Sequence, residues 1–271
     1  MIAARCRRQL SEAMRLELRR ILTPWGALRL LLMALAPALI ILAHVLHDAT
    51  GCSLEEETVI LGVIVQVYFV RMAVFFGCLG IFTRLVRGEL AEHTLHYAFL
   101  APVRRELLVA GRFLAGVLTA CLVFGFGVAA SFFAMYLHSA AGRELVRSGP
   151  GASQLAAYLL VAALACLGYG AVFLALSLIF RNPIVPSVVV FFWEAINGAL
   201  PVWLKLWSVT FYLKPLFPVE LPVEGVSGLF TVVAEPVPGW LAVTGLGCFA
   251  LAVLVFACWR VRRLEVLYSI D

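Results

Sequence analysis

The chain has 271 residues, of which 63% are hydrophobic and only 14% are charged, with a formal net charge of +5. Soluble domains are roughly 45–50% apolar and about 25% charged. The chain has too little polar surface for a water-soluble globule, which excludes a soluble enzyme, a disordered or fibrous chain and a disulfide-rich secreted protein. We therefore predict an all-α, polytopic membrane protein.

The N-terminal residues 1–24 have the pattern of an amphipathic helix lying on the membrane surface. One helical face is apolar and the other is charged. The apolar face holds Leu10, Met14, Leu18 and Ile21, and the charged face holds Arg8, Glu12, Arg15 and Arg19. The alternatives are a solvated basic tail and a cleaved signal peptide, whose basic region would be unusually long.

Six apolar segments approach the roughly 20 residues that a helix needs to cross a bilayer. These spans are predicted near Trp25–Val45, Val59–Phe82, Phe113–Leu137, Leu155–Phe180, Ile184–Leu200 and Trp240–Trp259. They form a single transmembrane domain over 1–271. After the surface helix, this domain consists of spans one and two (25–82), a cytoplasmic segment (83–112), spans three to five (113–200), an external loop (201–239), and span six with its tail (240–271).

The distribution of basic residues predicts the orientation, because cytoplasmic loops are enriched in Lys and Arg. Placing both termini in the cytoplasm puts sixteen of the 21 basic residues inside. The loop after span one is acidic, with Asp48 and the run Glu55–Glu57, and is predicted to be external. Nineteen of the 21 basic residues are arginine, which favours a GC-rich bacterial genome and therefore a bacterial cytoplasmic membrane.

The external loop 201–239 is predicted to begin with a short interfacial helix and to end as an irregular cap. Aromatic residues alternate with lysines in its first part, as in segments anchored at a membrane interface. These residues are Trp203, Lys205, Trp207, Phe211, Tyr212 and Lys214. Five prolines after Leu213 disfavour a regular second half.

Two charged residues lie inside predicted spans. Because burying a charge in the bilayer costs free energy, such residues are candidates for a functional site. Arg71 lies in span two, roughly 18 Å below the outer boundary at 1.5 Å per residue, and Glu194 lies in span five, about 15 Å above the inner one. We expect them to pair directly or to share a polar cavity. The candidate lining of this substrate path comprises Gln66, Tyr68, Phe191 and Trp193. The alternatives are a purely structural ion pair, an Arg71 that extends to the interface, and aromatic residues that face lipid.

The segment Arg87–Arg112 is too polar to span a membrane, yet apolar residues recur along it. Such a segment can lie flat below the bilayer and present one face to a partner protein. A simple tethering loop is the alternative.

The order of motifs in this segment resembles the loop after span two in permeases of type-2, export-class ABC transporters. The pattern runs Glu89, Thr94-Leu95, Pro102-Val103-Arg104 and Gly111-Arg112. Arginine follows Gly111 where the family often has lysine, and His93 precedes the threonine where glycine is common. Further similarities are Arg181-Asn182-Pro183, Trp193-Glu194 and the tail Arg262-Arg263-Leu264-Glu265.

The resemblance implies a coupling helix in the cytoplasmic segment that docks on a cassette ATPase. The residues implied in coupling are Glu89, Glu92, Thr94, Pro102, Arg104 and Arg105. The resemblance also implies two ATPase copies and a second permease copy or paralogue. No nucleic-acid partner is expected, because the net charge of +5 belongs to the loops of a membrane protein. The chain has no G-x-x-x-x-G-K-[ST] phosphate loop, so it is predicted not to be an enzyme. ATP and Mg²⁺ are expected on the partner ATPase.

Two other functions remain open at this stage. A membrane-embedded enzyme would have to use Arg71 and Glu194, although catalytic residues usually cluster on several spans. A non-transporting ABC complex would use the same fold to transmit force to envelope proteins. A metal site near His44, His47 and Cys52 is disfavoured, since two ligands on one helical face do not make a site.

Overall fold

The computed structural model describes residues 2–21, 23–47, 53–91, 105–197, 201–219 and 238–262. These ranges contain helices and no strand, as the composition predicts. The helices are α1 (Ile2–Ile21), α2 (Pro24–His47), α3 (Leu54–Val63), a π-helical segment (Ile64–Val74), α4 (Phe75–Ala91), α5 (Arg105–Tyr136), α6 (Ala140–Arg147), α7 (Gly151–Ile179), α8 (Ile184–Ala195), α9 (Val202–Lys205), α10 (Val209–Leu213), a 3₁₀ turn (Lys214–Leu216) and α11 (Gly239–Arg262).

Five long helices are apolar enough to cross a membrane, and they match predicted spans one, two, three, four and six. Their apolar ranges are Trp25–Leu46, Leu54–Val86, Glu106–Tyr136, Gly151–Ile179 and Gly239–Val261. Each is longer than the roughly 20 residues that a bilayer requires. The chain is therefore a multi-pass membrane protein, and the orientation of its termini stays a prediction.

The predicted fifth span, Ile184–Leu200, is shorter than expected. Its helix α8 contains 12 residues, Ile184–Ala195. At 1.5 Å per residue α8 is roughly 18 Å long, whereas the hydrocarbon core is about 30 Å thick. Because α8 alone cannot cross the bilayer, the described structure supports five full spans and one short apolar helix.

Span two starts earlier than the sequence pattern suggested. The Ser53 hydroxyl accepts a hydrogen bond from the Glu56 amide, and the Glu56 carboxylate accepts one from the Ser53 amide at 2.9 Å. This reciprocal pair is a capping box, which fixes a helix start. The acidic run Glu55–Glu57, expected in the external loop, therefore forms the first turn of α3, where carboxylates favour the helix dipole.

Between α3 and α4 the helix of span two changes to an 11-residue π segment, Ile64–Val74. π-helical structure is rare and occurs mostly as single turns, frequently at functional sites. This segment carries Gln66, Tyr68 and Arg71. Three of the predicted path residues thus share one unusual piece of backbone.

Helices α5 and α7 form the centre of the bundle. Helix α5 packs against α1, α2, α4, α7 and α11, and α7 packs against α4, α5 and α11. Glycine permits the closest of these approaches. A Cβ atom on Gly127 of α5 would lie 2.3 Å from the main-chain oxygen of Ala34 in α2, so no larger residue fits without moving a helix.

The first part of the predicted external loop is folded into the bundle. Helix α10 packs against both α7 and α11. Glycines make room for it on each side: a Cβ atom on Gly168 would lie 2.8 Å from Val209, and one on Gly245 would lie 2.6 Å from Tyr212. Lys205, expected to be an interfacial anchor, is only 9% exposed, because α9 leads into this packed region.

Candidate functional site

Glu194 is the centre of a buried hydrogen-bond cluster at the end of α8. Its Oε1 accepts a hydrogen bond from the Val209 amide at 2.9 Å. Its Oε2 accepts from the Ser208 hydroxyl at 2.8 Å, from the Thr210 amide at 3.0 Å and from the Thr210 hydroxyl. Glu194 is 6% exposed, so these bonds replace the water that a carboxylate would otherwise require.

This cluster joins two short elements that are separate in sequence. The amides of Val209 and Thr210 belong to the first turn of α10, where main-chain N–H groups lack helical partners. A carboxylate there satisfies the amides and interacts favourably with the helix dipole. Glu194 therefore fastens the end of α8 to the start of α10 and turns the chain back into the bundle.

Tyr169 of α7 connects the polar cluster to a group of packed aromatic side chains. Its hydroxyl shares a 3.3 Å hydrogen bond with the Thr210 hydroxyl. Its ring meets Phe75 edge-on with centroids 5.3 Å apart, and Phe75 makes a similar contact with Phe191. Aromatic pairs at these distances are stabilised by edge-to-face geometry.

Arg71 lies beside this cluster. It lies close to Tyr169 and Glu194, and its side chain is partly buried. The structure thus brings Arg71 and Glu194 into one polar region, whereas a direct Arg71–Glu194 ion pair stays a prediction. Both oxygens of Glu194 already accept hydrogen bonds from Ser208–Thr210.

The other predicted path residues make contacts within the protein. Gln66 donates a 3.2 Å hydrogen bond to the Val219 carbonyl, and Tyr68 donates one of 2.7 Å to the Met33 carbonyl. Phe191 packs on Phe75 and on Phe76. Trp193 is half-buried. Their role in a substrate path stays a prediction.

Sequence reasoning missed Ser208, Thr210 and Tyr169 as parts of this centre. The signal for Ser208 was available, because Ser is a preferred N-cap residue and it directly precedes the apolar segment Val209–Leu213. Tyr169 carried no comparable signal. A tyrosine in an apolar span is ordinary, and its contact with Thr210 depends on tertiary packing.

A second buried polar contact lies at the other end of the bundle. The Arg112 guanidinium forms a salt bridge with Glu17 of α1, with 2.9 Å between Nε and Oε1, and each side chain is 5% exposed. Arg112 is the basic residue of the Gly111-Arg112 motif. It therefore connects α1 to the start of span three, at the end of the predicted coupling segment 83–112.

The apolar face of α1 is directed toward the bundle. Met14 and Leu18 pack against the core, and Ile21 is buried in it. Arg15 and Arg19 on the opposite face are exposed. The predicted amphipathic helix is thus present, and its position at a membrane surface stays a prediction.

The predicted coupling residues lie at or beyond the limits of the described chain. Glu92, Thr94, Pro102 and Arg104 lie outside the described residues. Glu89 is part of the α4 backbone and Arg105 begins α5, but their side chains are not described. Their predicted roles are therefore retained as predictions.

Near the N-terminal end of span two, Glu57 contacts His138 with 3.2 Å between Oε1 and Nε2. The Tyr136 hydroxyl also donates a 3.1 Å hydrogen bond to Thr58. Spans two and three are thus connected at this end.

Of the suggested metal ligands, His44 is exposed. The side chain of His47 and all of Cys52 lie outside the described residues, and the described ranges contain no group of three metal-ligating side chains.

The arrangement defines a class of protein: a helical membrane protein with a polar centre among its spans and a polar segment of thirteen residues between α4 and α5. The sequence model of the family described as ABC-2 family transporter protein matches residues 24–197. This range covers more than half of the chain, which therefore belongs to the ABC-2 family of transporter proteins. No curated protein matches the chain.

Family membership confirms the resemblance noted in the sequence. It identifies the chain as a membrane permease subunit of an ABC transporter, a kind of subunit that is not itself catalytic and that in general works with an ATPase partner. The matched range includes the polar centre up to Glu194 and ends before α10.

Proposed function

We propose that the chain is the transmembrane subunit of an ATP-driven exporter in a bacterial cytoplasmic membrane. Two copies, or this chain and a paralogue, form the translocation path, and two cassette ATPases bind ATP and Mg²⁺. The observation that carries the proposal is the family match over residues 24–197. The absence of a phosphate-loop motif within the 271 residues supports the assignment of ATP hydrolysis to a partner.

Coupling to the ATPase is assigned to residues 83–112. The segment includes the end of α4 and the start of α5, so a force applied to it acts on spans two and three together. The buried Arg112–Glu17 salt bridge extends this connection to α1. Movement of the segment would therefore be transmitted to three helices rather than absorbed by a free loop.

The proposed path is lined by Arg71 and its neighbours on the π segment. Arg71 supplies a cation among apolar spans, and such residues usually face a cavity or the interior of a bundle. Glu194 has a different role in this proposal. Since its oxygens accept four hydrogen bonds from Ser208–Thr210, Glu194 stabilises the protein structure beside the path.

The described contacts of Glu194 favour this reading over a membrane-embedded enzyme. A catalytic carboxylate needs an oxygen within hydrogen-bond reach of the proton that it transfers. Both Glu194 oxygens are instead directed at main-chain amides and hydroxyls of Ser208–Thr210. The carboxylate is thus arranged as a structural acceptor.

The experiment that tests the proposal is affinity purification of the tagged chain from native membranes in mild detergent, followed by mass spectrometry. We expect a cassette ATPase at about one copy per permease chain. Its reproducible absence from a folded, dimeric preparation would overturn the proposal. Stimulation of the recovered ATPase by added compounds would favour transport, whereas copurifying envelope proteins without stimulation would favour force transmission.

A further inference from the structure

A cavity of about 410 Å³ lies between α1, α2 and α4, where α1 joins α2. Its volume is within the range of about 300–1,000 Å³ that is typical of ligand sites. Most of its wall is apolar, formed by Leu30, Met33, Phe76, Ile81 and Leu85. The positive-inside pattern predicts that this end of the bundle is cytoplasmic.

Two arginines give the cavity a positive charge. Arg29 of α2 and Arg84 of α4 both line it, and both side chains are exposed. Within the described ranges neither arginine is in an ion pair. Glu17 also lines the cavity, but its charge is balanced by Arg112 at 2.9 Å.

We propose that this cavity binds an anionic phospholipid, with the phosphate between Arg29 and Arg84 and an acyl chain along the apolar wall. Guanidinium groups match phosphate oxygens in charge and geometry. Basic pockets between transmembrane helices on the cytoplasmic side bind anionic head groups in this way. A free phosphate would leave the apolar wall unused, so the combination fits an amphiphile.

Gly80 provides a way to block the site. A Cβ atom on Gly80 would meet no other heavy atom within 4 Å, and this residue lines the cavity. Because this Cβ position is open, we expect a leucine at position 80 to occupy space in the cavity. Gly247 of α11 is a matched control, because its Cβ position is equally open and it does not line the cavity.

The test measures lipid bound to the purified full-length chain, together with any native partners, in nanodiscs. Nanodiscs contain phosphatidylglycerol and phosphatidylcholine in equal amounts, and lipid retained after graded detergent washing is quantified by native mass spectrometry. We expect the wild-type chain to retain phosphatidylglycerol about tenfold over phosphatidylcholine, a ratio that corresponds to about 1.4 kcal/mol. Arg29→Gln with Arg84→Gln should abolish the preference, and Gly80→Leu should abolish retention.

The controls Gly247→Leu and Arg181→Gln should retain lipid as the wild type does, since neither residue lines the cavity. Equal retention of the two lipids by the wild type, or unchanged preference in the arginine double variant, would overturn the proposal. Displacement of the lipid by inorganic phosphate alone would show a phosphate site without a role for the apolar wall. Because the readout is bound lipid, failure here is distinguishable from failure to recover an ATPase.

Discussion

The Tyr68 hydroxyl donates a 2.7 Å hydrogen bond to the main-chain carbonyl of Met33. Met33 precedes Pro37 by four residues within α2, and proline has no N–H to donate to that carbonyl. Inside the bilayer no water is present, so a carbonyl that lacks its helical N–H donor needs another hydrogen-bond donor from the protein. The π segment of span two therefore completes the hydrogen bonding of span one at its proline.

This relationship predicts an energetic coupling between Tyr68 and Pro37. Tyr68→Phe should lower the free energy of unfolding by about 1 kcal/mol, because it leaves the Met33 carbonyl without a donor. In a Pro37→Ala background the alanine N–H supplies that bond, so the cost of Tyr68→Phe should fall toward zero. A double-mutant cycle of unfolding in detergent measures the coupling.

The matched control for that cycle is Tyr158→Phe, since Tyr158 is buried and no hydrogen bond of its hydroxyl occurs within the described ranges. Its effect should be the same with proline or alanine at position 37. If the cost of Tyr68→Phe is equally independent of residue 37, the proposed exchange of hydrogen bonds is wrong.

The second prediction concerns Glu194. Glu194→Ala should lower the free energy of unfolding by about 3 kcal/mol or more, because it leaves the Val209 and Thr210 amides buried without an acceptor. Glu194→Gln keeps one acceptor oxygen and should cost less than Glu194→Ala. Thermal unfolding of the three proteins in one detergent gives the order.

Exchanging the charges of Arg71 and Glu194 is a poor test of their pairing, because Glu194 accepts hydrogen bonds from Ser208–Thr210. Arginine at position 194 would place donors against the donors of Ser208–Thr210. We therefore expect Arg71→Glu with Glu194→Arg to be less stable than either single variant. A cycle of Arg71→Gln and Glu194→Gln avoids this conflict, and a coupling energy near zero would exclude a direct pair.

The third prediction concerns the salt bridge between Arg112 and Glu17. Breaking a buried pair leaves an uncompensated charge and typically costs about 3–5 kcal/mol. Arg112→Met should therefore destabilise the protein strongly, and Glu17→Met should restore much of that loss in the double variant. Chemical unfolding measures this recovery, and a double variant as unstable as Arg112→Met would argue against the pair.

The fourth prediction tests the coupling segment. Glu89→Lys and Arg104→Glu should each reduce the ATPase rate of the complex at least about tenfold, because a reversed charge at an interface creates like-charge contacts. Membrane insertion and yield should be unchanged. Arg147→Glu is a control, since Arg147 is exposed on α6 outside the segment. Normal coupled activity in both variants would contradict the placement of the coupling helix.

The fifth prediction tests the orientation. With the native cysteines replaced, a Ser227→Cys variant should react with a membrane-impermeant thiol reagent added from the outside. Reaction only from the cytoplasmic side would reverse the topology. A cysteine at Ser11, close to the predicted cytoplasmic end, should show the opposite accessibility.

Much of the fold follows from composition and hydropathy, but the region around Glu194 does not. Spans one, two, three, four and six are apolar over the required length, and the structure contains each of them. The segment Ile184–Leu200 is equally apolar, yet its helix ends at Ala195. The difference comes from the hydrogen bonds of Glu194 to residues 14–16 positions later, which hydropathy does not represent.

The candidate site shows the same limit. Arg71 and Glu194 could be identified because charges are costly in a bilayer. Their surroundings could not, because the partners of Glu194 come from a segment expected in the external loop. Similarly, the proline of α2 is visible in the sequence, but the residue that compensates for it is in a different span.

The π segment also determines which side of span two faces the core along the length of the helix. Buried residues recur at every fourth position of span two, from α3 through the π segment into α4. This row consists of Glu57, Leu61, Val65, Phe69, Ala73, Gly77, Ile81 and Leu85. A four-residue step overshoots one α-helical turn by about 40°, so such a row would wind around a regular helix. The wider π turn rotates the row in the opposite sense and brings it back toward the core. With α-helical geometry throughout, the row would continue to wind around span two, and its residues beyond Val74 would turn away from the core.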